Sequence, residues 1–455
     1  MKLILINAYE SSPFDDLFNM SALKKTGFAA LKLLLSPLSN SRGKAMIPLA
    51  LPTLAGLTPA DWDVTILDEQ VDKLNFDLEA DLVGISFNTP SALRAYYVAD
   101  QFRKKGIKVI LGGSHASVMQ EEAALHSDSV GIGEAEGYWH QVLEDASRGK
   151  LKKFYTAEEY PSLKDSPTPD FSAIDKSKYF AIHPIQTTRG CPYNCEFCTV
   201  HKLFGRHVRM RSIESIEQEI NSVEENFLAF VDDNLGINKI HFKNLLEVVK
   251  NTKKKWAAQV NLDIAEDQEL LESMYDSGCV LLLVGIESMS ARNIEIYAAG
   301  KNDMDTMELY VRRIIDAGIG VLGMYILGFD DDSVDSIDIL AEFFKKTQLT
   351  FPSISALTPF PGSDIYNNMK QENRIVSTQW SNYNFFKTVF IPKSFLAEEL
   401  ETSVVKIGLK AYKMRDVLLR TWKHRDMFPL FLFLSFSFKM GYQSMARKLK
   451  KGGLY

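Results

Sequence analysis

Three cysteines within ten residues are the feature that most limits how this chain can fold and what it can hold. Cys191, Cys195 and Cys198 follow the spacing C-x₃-C-x₂-C, and the whole chain contains only four cysteines. Thiolates grouped this closely are strong ligands for iron and zinc. Three thiolates leave one iron of a four-iron cluster without a protein ligand, and catalytic metal sites keep such a position open for substrate. The spacing therefore predicts a catalytic metal centre.

A structural zinc site is the alternative use of these cysteines. His201 follows Cys198 closely and would complete a set of three cysteines and one histidine. A disulfide is disfavoured, because nothing else marks the chain as secreted. Residues 185–188 are predicted to form a strand and residues 189–190 a turn. The cysteines then lie at the C-terminal end of a strand, where α/β barrels place their chemistry.

The composition is that of a soluble globular protein with two or three domains. The chain has 455 residues, of which 46% are hydrophobic and 24% are charged. Its net charge of −6 offers no basic surface, so we expect no nucleic acid as a partner. Residues 1–7 form a short apolar run without a cleavage site, which indicates a buried first strand rather than a signal peptide. Few, clustered cysteines suit a reducing cytoplasm.

Alternation of short apolar strands with helical patterns predicts an α/β fold in two main parts. Residues 1–150 are predicted to form a parallel, doubly wound, Rossmann-like sheet with an apolar helix at 22–35 and strands at 3–7, 63–67, 82–87, 109–111 and 129–132. A polar linker is predicted at 151–180. Residues 181–375 are predicted to form a partial (βα)₆ barrel with strands at 183–188, 227–232, 256–261, 281–286, 321–327 and 354–357.

Polar and glycine residues at the strand ends of the first part are candidates for binding a ligand. Doubly wound sheets bind ligands outside the carboxyl ends of their strands. Gly112 and Gly113 follow a strand directly and would let the backbone approach a ligand. Ser86 and Thr89 would bond a ligand or cap the next helix, and Glu134 ends the last predicted strand.

Acidic residues end two strands of the second part. Asp232 follows an apolar strand and would accept hydrogen bonds from an ammonium or a hydroxyl, or would cap a helix. Glu287 and Ser288 follow the apolar run 280–284, and a carboxylate leaving a buried strand must be paired or solvated. Cys279 precedes this strand and is predicted to be a small buried residue rather than a metal ligand.

The cysteine stretch resembles the signature of the radical S-adenosylmethionine (SAM) superfamily, C-x₃-C-x-aromatic-C, with Phe197 at the aromatic position. The resemblance implies that the three cysteines hold a [4Fe–4S] cluster whose fourth iron binds SAM. One electron, from a donor such as flavodoxin or ferredoxin, then cleaves SAM to methionine and a 5′-deoxyadenosyl radical. It also implies that Phe197, Asp232, Glu287 and Ser288 lie around SAM.

The first part resembles the cobalamin-binding domain that precedes many radical SAM enzymes. The matching stretches are residues 80–86, 106–115 and 131–136. The resemblance implies that cobalamin contacts the strand ends with Ser86, Thr89, Gly112, Gly113 and Glu134. The sequence departs from this domain at one position. The classical domain carries the motif D-x-H-x-x-G after its first strand, and the histidine of that motif binds cobalt. The loop at residues 7–12 has no histidine, so the lower face of cobalamin would lack this ligand.

These resemblances predict a cobalamin-dependent radical SAM enzyme, most similar to the class that methylates unactivated carbons of small or lipid-like substrates. In that class one SAM methylates cobalt and a second SAM supplies the radical. Ring closure or oxidation remains an alternative, as does a non-enzymatic cobalamin- or metal-binding sensor with structural zinc. Methylthiotransferases carry a second cysteine set in their N-terminal domain. Residues 1–150 contain no cysteine, which argues against that class.

Residues 376–455 are predicted to form a small, aromatic-rich helical region. A helix is expected at 397–419, and residues 427–438 are rich in Phe and Leu with basic residues on both sides. Twelve residues are too few to span a bilayer, which takes about 20. The stretch is therefore a buried helix or an interfacial helix, and the second alternative would bring peripheral contact with a membrane.

Overall fold

The computed structural model describes residues 1–11, 45–164 and 166–450. The helix predicted at residues 22–35 lies outside these ranges. Two six-stranded parallel sheets follow one another along the chain, and helices complete the C-terminal part.

The first sheet is doubly wound, as predicted. Its order is β2-β1-β3-β4-β5-β6, with every neighbouring pair parallel. The strands are β1 (Lys2–Asn7), β2 (Asp63–Asp68), β3 (Leu82–Ser86), β4 (Lys108–Gly112), β5 (Ser129–Ile132) and β6 (Phe154–Thr156). Strand β6 lies in the stretch that was predicted to be a linker. The chain leaves β1 toward β2 and then returns to β3 on the other side, so a crevice opens between the ends of β1 and β3.

Helices cover both faces of this sheet, which explains why its strands are almost continuously apolar. They are α1 (Ala50–Leu57), α2 (Ala92–Lys104), α3 (Ser114–Val118), α4 (Gln120–Leu125) and α5 (Trp139–Ser147). One face packs Val83 against Phe102 of α2, and the other packs Leu82 against Trp139 of α5.

The second sheet has the six strands predicted for a partial barrel. Its order is β14-β13-β12-β11-β10-β7, again all parallel. The strands are β7 (His183–Ile185), β10 (Phe227–Phe230), β11 (Lys255–Val260), β12 (Cys279–Glu287), β13 (Gly320–Leu327) and β14 (Phe351–Ala356). A short antiparallel pair, β8 (Thr188–Arg189) and β9 (Arg209–Met210), flanks the cysteine loop.

The helices of the second part alternate with its strands. They are α6 (Val200–Leu203), α7 (Ile213–Ser222), α8 (Lys239–Thr252), α9 (Gln268–Asp276), α10 (Ala291–Tyr297), α11 (Met304–Asp316), α12 (Ser336–Thr347) and α13 (Asp364–Gln371). Several begin at a polar cap; in α8 the side chain of Asn238 accepts a hydrogen bond from the backbone of His241. The result is one large core around β12, where Val284 and Ile286 are fully buried.

Three helices follow the barrel. The helix expected at 397–419 is divided into α14 (Ala397–Ala411) and α15 (Met414–Trp422), and the Phe-rich stretch opens the longer α16 (Phe428–Lys450). Phe431 and Phe438 of α16 are buried against Phe351 at the start of β14. The burial of these two side chains agrees with the prediction of a buried helix. None of the helices in the described ranges is both long and apolar enough to cross a bilayer.

Two tyrosines cover the free edge of β14. The Tyr412 hydroxyl donates to the carbonyl of Pro352 at 3.0 Å. The Tyr442 hydroxyl accepts from the backbone N–H of Ile354 at 3.2 Å. The unpaired peptide groups of an edge strand can pair with another chain. In this barrel, side chains of the C-terminal region form hydrogen bonds with some of these peptide groups.

Candidate active site

The three cysteines occupy one loop at the C-terminal edge of the second sheet, between β8 and α6. All are free thiols, with Cys195 buried and the other two partly exposed. The loop turns at Gly190, whose φ of 98° favours glycine; a Cβ there would lie 2.5 Å from the carbonyl oxygen of His207. Its middle is held by Glu196, whose N–H donates to Tyr297 at 2.9 Å. Three soft donors on a fixed loop fit a cluster that keeps one iron open.

Burial controls the state of these thiols. It raises the pKa of Cys198 to about 12, and it also raises the pKa of Cys191 and Cys195. A buried thiolate therefore forms when a metal cation compensates its charge. The backbone N–H of Val200 points at Sγ of Cys198 at 3.5 Å, and hydrogen bonds of this kind tune the potential of a cluster.

Asp232, predicted to contact SAM, is a structural residue in this conformation. Its side chain is 3% exposed and accepts hydrogen bonds from the backbone and hydroxyl groups of both Thr187 and Thr188. Burial raises its pKa to about 6, although the threonine bonds oppose this shift. These bonds hold the strand end that leads into the cysteine loop.

The neighbouring Asp233, which the sequence did not single out, faces the cluster loop. Its Oδ2 accepts from the backbone N–H of Gly190 at 3.3 Å, and its charge contributes to raising the pKa of Cys191. Of the two adjacent acids at the end of β10, Asp233 is therefore the one placed to reach a ligand of the cluster.

Glu287 ends β12 in a left-handed conformation, with φ of 65°. Its Oε1 lies 2.6 Å from Nζ of Lys301. A Cβ at Gly285 would overlap this carboxylate, so the glycine makes room for it. Burial alone would lower the pKa of Lys301, but Glu287 and the nearby Cys195 raise it above the usual value for lysine. The strained carboxylate and its cation thus lie beside the cluster cysteines, where functional strain is common.

The other two residues predicted around SAM differ in their surroundings. Ser288 is fully buried, and its Oγ accepts from the backbone of Ser290 and from Asn293. It therefore organises the turn after β12. Phe197 is partly buried, with its ring centroid 6.0 Å from that of Phe329 after β13. Cys279 is 2% exposed in the barrel core, as predicted.

A cavity of about 550 Å³ opens at the crevice between β1 and β3. Four of the five residues predicted to contact cobalamin line it, namely Ser86, Gly112, Gly113 and Glu134. Thr89 does not line it; the residue is buried and its hydroxyl bonds Nδ1 of the fully buried His115 at 3.1 Å. This histidine also does not line the cavity and offers no ligand to cobalt.

The floor of this cavity is backbone, which fits a large planar cofactor. Gly113 has a φ of 98°, and a Cβ there would lie 2.5 Å from the carbonyl oxygen of Phe87. A Cβ at Gly131 would lie 2.5 Å from the Tyr138 hydroxyl. A side chain at either position would displace the neighbouring Phe87 backbone or the Tyr138 ring and so change the shape of the cavity floor.

The opposite wall of the cavity belongs to the second part of the chain. Gln186, Arg189, Phe204 and Val231 line it. Glu134 crosses between the two parts, because its carboxylate pairs with both Arg189 and Arg209. Arg189 also pairs with Glu136 at 2.8 Å. The cavity and the cysteine loop are therefore joined by a buried ion cluster two residues before Cys191.

Comparison with known proteins agrees with this geometry. The B12 binding domain model matches residues 36–143, and the Radical SAM superfamily model matches residues 185–344. The class is thus a radical SAM enzyme that carries a cobalamin-binding domain. The fold matches that of the cobalamin-dependent SAM radical enzyme OxsB with aqua-cobalamin and SAM bound, with a TM-score of 0.67, 15% identity, and coverage of 95% of this chain and 72% of that one.

Relatives of more than 30% identity include two proteins of Chlorobaculum tepidum. Bacteriochlorophyllide d C-8(2)-methyltransferase is 31% identical over 84% of this chain and 89% of its own length. Bacteriochlorophyllide d C-12(1)-methyltransferase is 32% identical over 83% and 85%. Hopanoid C-2 methylase of Rhodopseudomonas palustris is 27% identical over 77% and 69%. The chain belongs to the family of cobalamin-dependent radical SAM methyltransferases.

This membership confirms the predicted cofactors: a [4Fe–4S] cluster, SAM and cobalamin. It decides against the structural zinc site and the non-enzymatic sensor. Because these relatives are named methyltransferases or methylases, it also favours methyl transfer over ring closure or oxidation.

Proposed function

We propose that this enzyme methylates an unactivated carbon of a large, rigid, mainly apolar substrate, and that a tetrapyrrole of the bacteriochlorophyllide type is the first candidate. The observation that carries this proposal is the position of Arg189. Its side chain lines the cobalamin cavity, and its backbone lies two residues before Cys191. A substrate held at this junction has one cofactor on each side.

An unactivated carbon offers no electron pair, so polar methyl transfer cannot work on it. Bound in these sites, SAM at the cluster supplies hydrogen abstraction and cobalamin supplies the methyl group. The residues of the chain itself bind and orient the cofactors and the substrate. The Asp232 bonds fix the strand end before the cysteines, Lys301 balances negative charge beside them, and Glu134 holds the two halves of the site together.

An aromatic pair near the C-terminal end of β14, formed by the exposed Phe385 and the partly buried Phe360, supports an apolar substrate. Phe385 is 44% exposed and has a φ of 71°, which is a strained value for a bulky residue. Its ring lies 5.2 Å from that of Phe360, and its carbonyl accepts from Ala356 at 2.7 Å. Strain of this kind clusters at ligand clamps, so we assign this pair to substrate binding.

Relatives indicate which apolar substrate to test first. The two Chlorobaculum tepidum relatives are named for bacteriochlorophyllide d, whereas the hopanoid methylase is 27% identical.

The one-electron donor that the reaction needs is proposed to be a flavodoxin or ferredoxin. Four free cysteines support a reducing, cytoplasmic location.

The test is an anaerobic assay of the enzyme loaded with cluster and cobalamin, supplied with SAM, a reductant, and either bacteriochlorophyllide d or a hopanoid. We expect the tetrapyrrole to gain a methyl group while S-adenosylhomocysteine and 5′-deoxyadenosine form together. Cys195→Ser should abolish both the product and 5′-deoxyadenosine. Methylation of the hopanoid alone would contradict the choice of substrate, and 5′-deoxyadenosine without any methylated product would contradict methyl transfer to either compound.

Phe385→Ala tests the aromatic pair in the same assay. Loss of one aromatic contact should raise KM for the tetrapyrrole roughly tenfold and change 5′-deoxyadenosine formation from SAM much less. The exposed Tyr275→Ala, on α9, is the matched control, with no expected change in KM. Equal KM values for wild type and Phe385→Ala would remove the pair from substrate binding.

A further inference from the structure

A second cavity, of about 430 Å³, lies away from both cofactor sites. It is formed by α12 along most of its length, the end of α14, and α15 with the turn before it. Helix α12 runs back from β13 to the start of β14, so its end lies near the edge of the sheet opposite the cysteine loop. The volume is that of a small-ligand pocket.

A buried arginine without a hydrogen-bond acceptor lines this cavity. Arg420 of α15 is 4% exposed, and its Nε and Nη2 are buried without a partner among the described residues. The ring of Tyr412 covers one face of the guanidinium, 4.7 Å from Cζ to centroid. One face of the guanidinium is thus packed against Tyr412, while Nε and Nη2 at its edge donate to no acceptor among the described residues. A buried cation without an acceptor is rare in proteins, because both charge and donors are costly to bury unpaired.

Other positive groups surround the same cavity. Lys345 comes from α12, Lys410 from α14, and Lys413 from the turn before α15. Helix α15 begins there without a side-chain cap, so its first N–H groups add positive charge. Three carboxylates also line the cavity, Asp338, Glu342 and Asp416, and Lys410 bonds the first of these at 3.2 Å. Four cationic side chains against three acidic ones leave the positive charge in excess.

We propose that this cavity binds an oxyanion of the phosphate class, with Arg420 as its main ligand. The donors approach from three different elements, α12, the end of α14 and α15. A tetrahedral anion has enough oxygens to meet donors from several directions, whereas a planar carboxylate meets one fork. Apolar residues such as Phe344 and Ile407 complete the wall, so the phosphate is carried by an organic molecule.

The neighbouring surface bears on the source of this phosphate. Leu418, Leu419 and Trp422 of the same helix are 45%, 53% and 62% exposed, and Arg415 and Lys423 lie among them. An apolar, basic helix face of this kind lies on membrane surfaces. The phosphate therefore belongs either to a lipid headgroup or to a soluble phosphate ester, and the chemistry at Arg420 is the same for both.

The test compares enzyme loaded with cluster and cobalamin in inorganic phosphate and in chloride at equal ionic strength. We expect phosphate to raise the unfolding temperature of the wild type. Arg420→Met keeps the side chain's length without its charge, and it should weaken phosphate binding by on the order of tenfold or more. Arg415→Met, on the exposed face of the same helix, is the matched control and should bind phosphate as the wild type does.

The Arg420→Met protein should also be at least as stable as the wild type in chloride, because it lacks the unpaired buried charge. If this variant does not fold, the exposed Lys413→Met takes its place and should weaken phosphate binding severalfold. Sedimentation with mixed phosphatidylglycerol–phosphatidylcholine vesicles separates the two sources: binding that Arg420→Met loses identifies a lipid, and binding that it keeps, or none, identifies a soluble ester. The proposal is overturned if phosphate leaves the wild type's unfolding temperature unchanged, or shifts both arginine variants alike.

Discussion

Nη1 of Arg189 lies 2.5 Å from Oε2 of Glu134, which ties the residue two positions before the first cluster cysteine to the loop after β5. The same carboxylate, 1% exposed, also pairs with Arg209. Because the Glu134 carboxylate pairs with two guanidinium groups, it is a bridge between the two cofactor sites, and Glu136 adds a second negative charge at Arg189. The sequence assigned it to cobalamin alone.

Glu134→Gln should therefore leave two largely buried arginines short of negative charge. We expect a loss of about 3 kcal/mol in the free energy of unfolding, as for breaking a buried ion pair. Chemical denaturation followed by circular dichroism measures it. Glu144→Gln is the control, because Glu144 pairs with Arg148 at 2.6 Å on the exposed face of α5 and should cost less than about 0.5 kcal/mol. Similar losses in both variants would show that the bridge contributes no more than a surface pair.

Lys301 should set the reduction potential of the cluster. Its ammonium group lies beside Glu287 and close enough to Cys195 and Cys198 that their charges raise its pKa. Lys301→Met removes a positive charge near the cluster, which should lower the potential by on the order of 50 mV. Redox titration monitored by electron paramagnetic resonance measures this shift. Lys301→Arg keeps the charge, so its reduction potential should lie close to that of the wild type. An unchanged potential in Lys301→Met would contradict the role of Lys301 in setting the potential.

Gly113→Ala should reduce cobalamin loading. The left-handed φ of 98° disfavours any other residue, and the added Cβ would lie 2.5 Å from the Phe87 carbonyl oxygen. The strand end would have to move at the cavity floor. Gly106→Ala is the control: it has a φ of 80° but nothing within 4 Å of the added Cβ, so it should cost only about 1 kcal/mol of strain. Cobalt content and visible absorption of both variants check this, and equal loading would contradict it.

The buried Asp232 should give stability a distinct pH dependence. Its folded pKa of about 6 lies above the usual aspartate value of 3.8, so the native state binds a proton more tightly than the unfolded state. The contribution of this carboxyl to stability therefore rises as pH falls through 6. Relative to Asp232→Asn, the wild type should gain on the order of 2 kcal/mol between pH of about 7 and about 4.5. A difference that does not vary with pH would contradict the raised pKa.

Sequence patterns predicted both sheets because most strands are short apolar runs closed by glycine or a polar residue. The continuous apolar run at 82–85 is typical of a strand buried on both faces, and all four of its residues are buried. Strand β6 was missed, since three residues with one buried side chain carry too little pattern. The break between α14 and α15 was also missed, because apolar periodicity continues across it.

The acids of the site show what the sequence alone could and could not decide. The alternation of a strand places Asp232 and Asp233 on opposite sides, and this much can be predicted from the sequence. Which side is buried could not be predicted, because Phe230 and Val231 are both apolar and only the structure shows Phe230 buried and Val231 exposed. The pairing of Glu287 with Lys301 could not be predicted either, because the lysine reaches the carboxylate from the loop after α10, and only the fold brings the two together.

The hydroxyls of Tyr412 and Tyr442 have a consequence for how much of the chain makes one folding unit. They bond peptide groups of β14, yet they belong to residues far beyond position 344, where the match to the radical SAM model ends. A protein truncated after α14 would expose the backbone of Ile354 as a template for strand addition by another copy. Residues 412–450 thus protect the edge of β14 from aggregation, and the barrel and its C-terminal helices are expected to unfold as a single cooperative body.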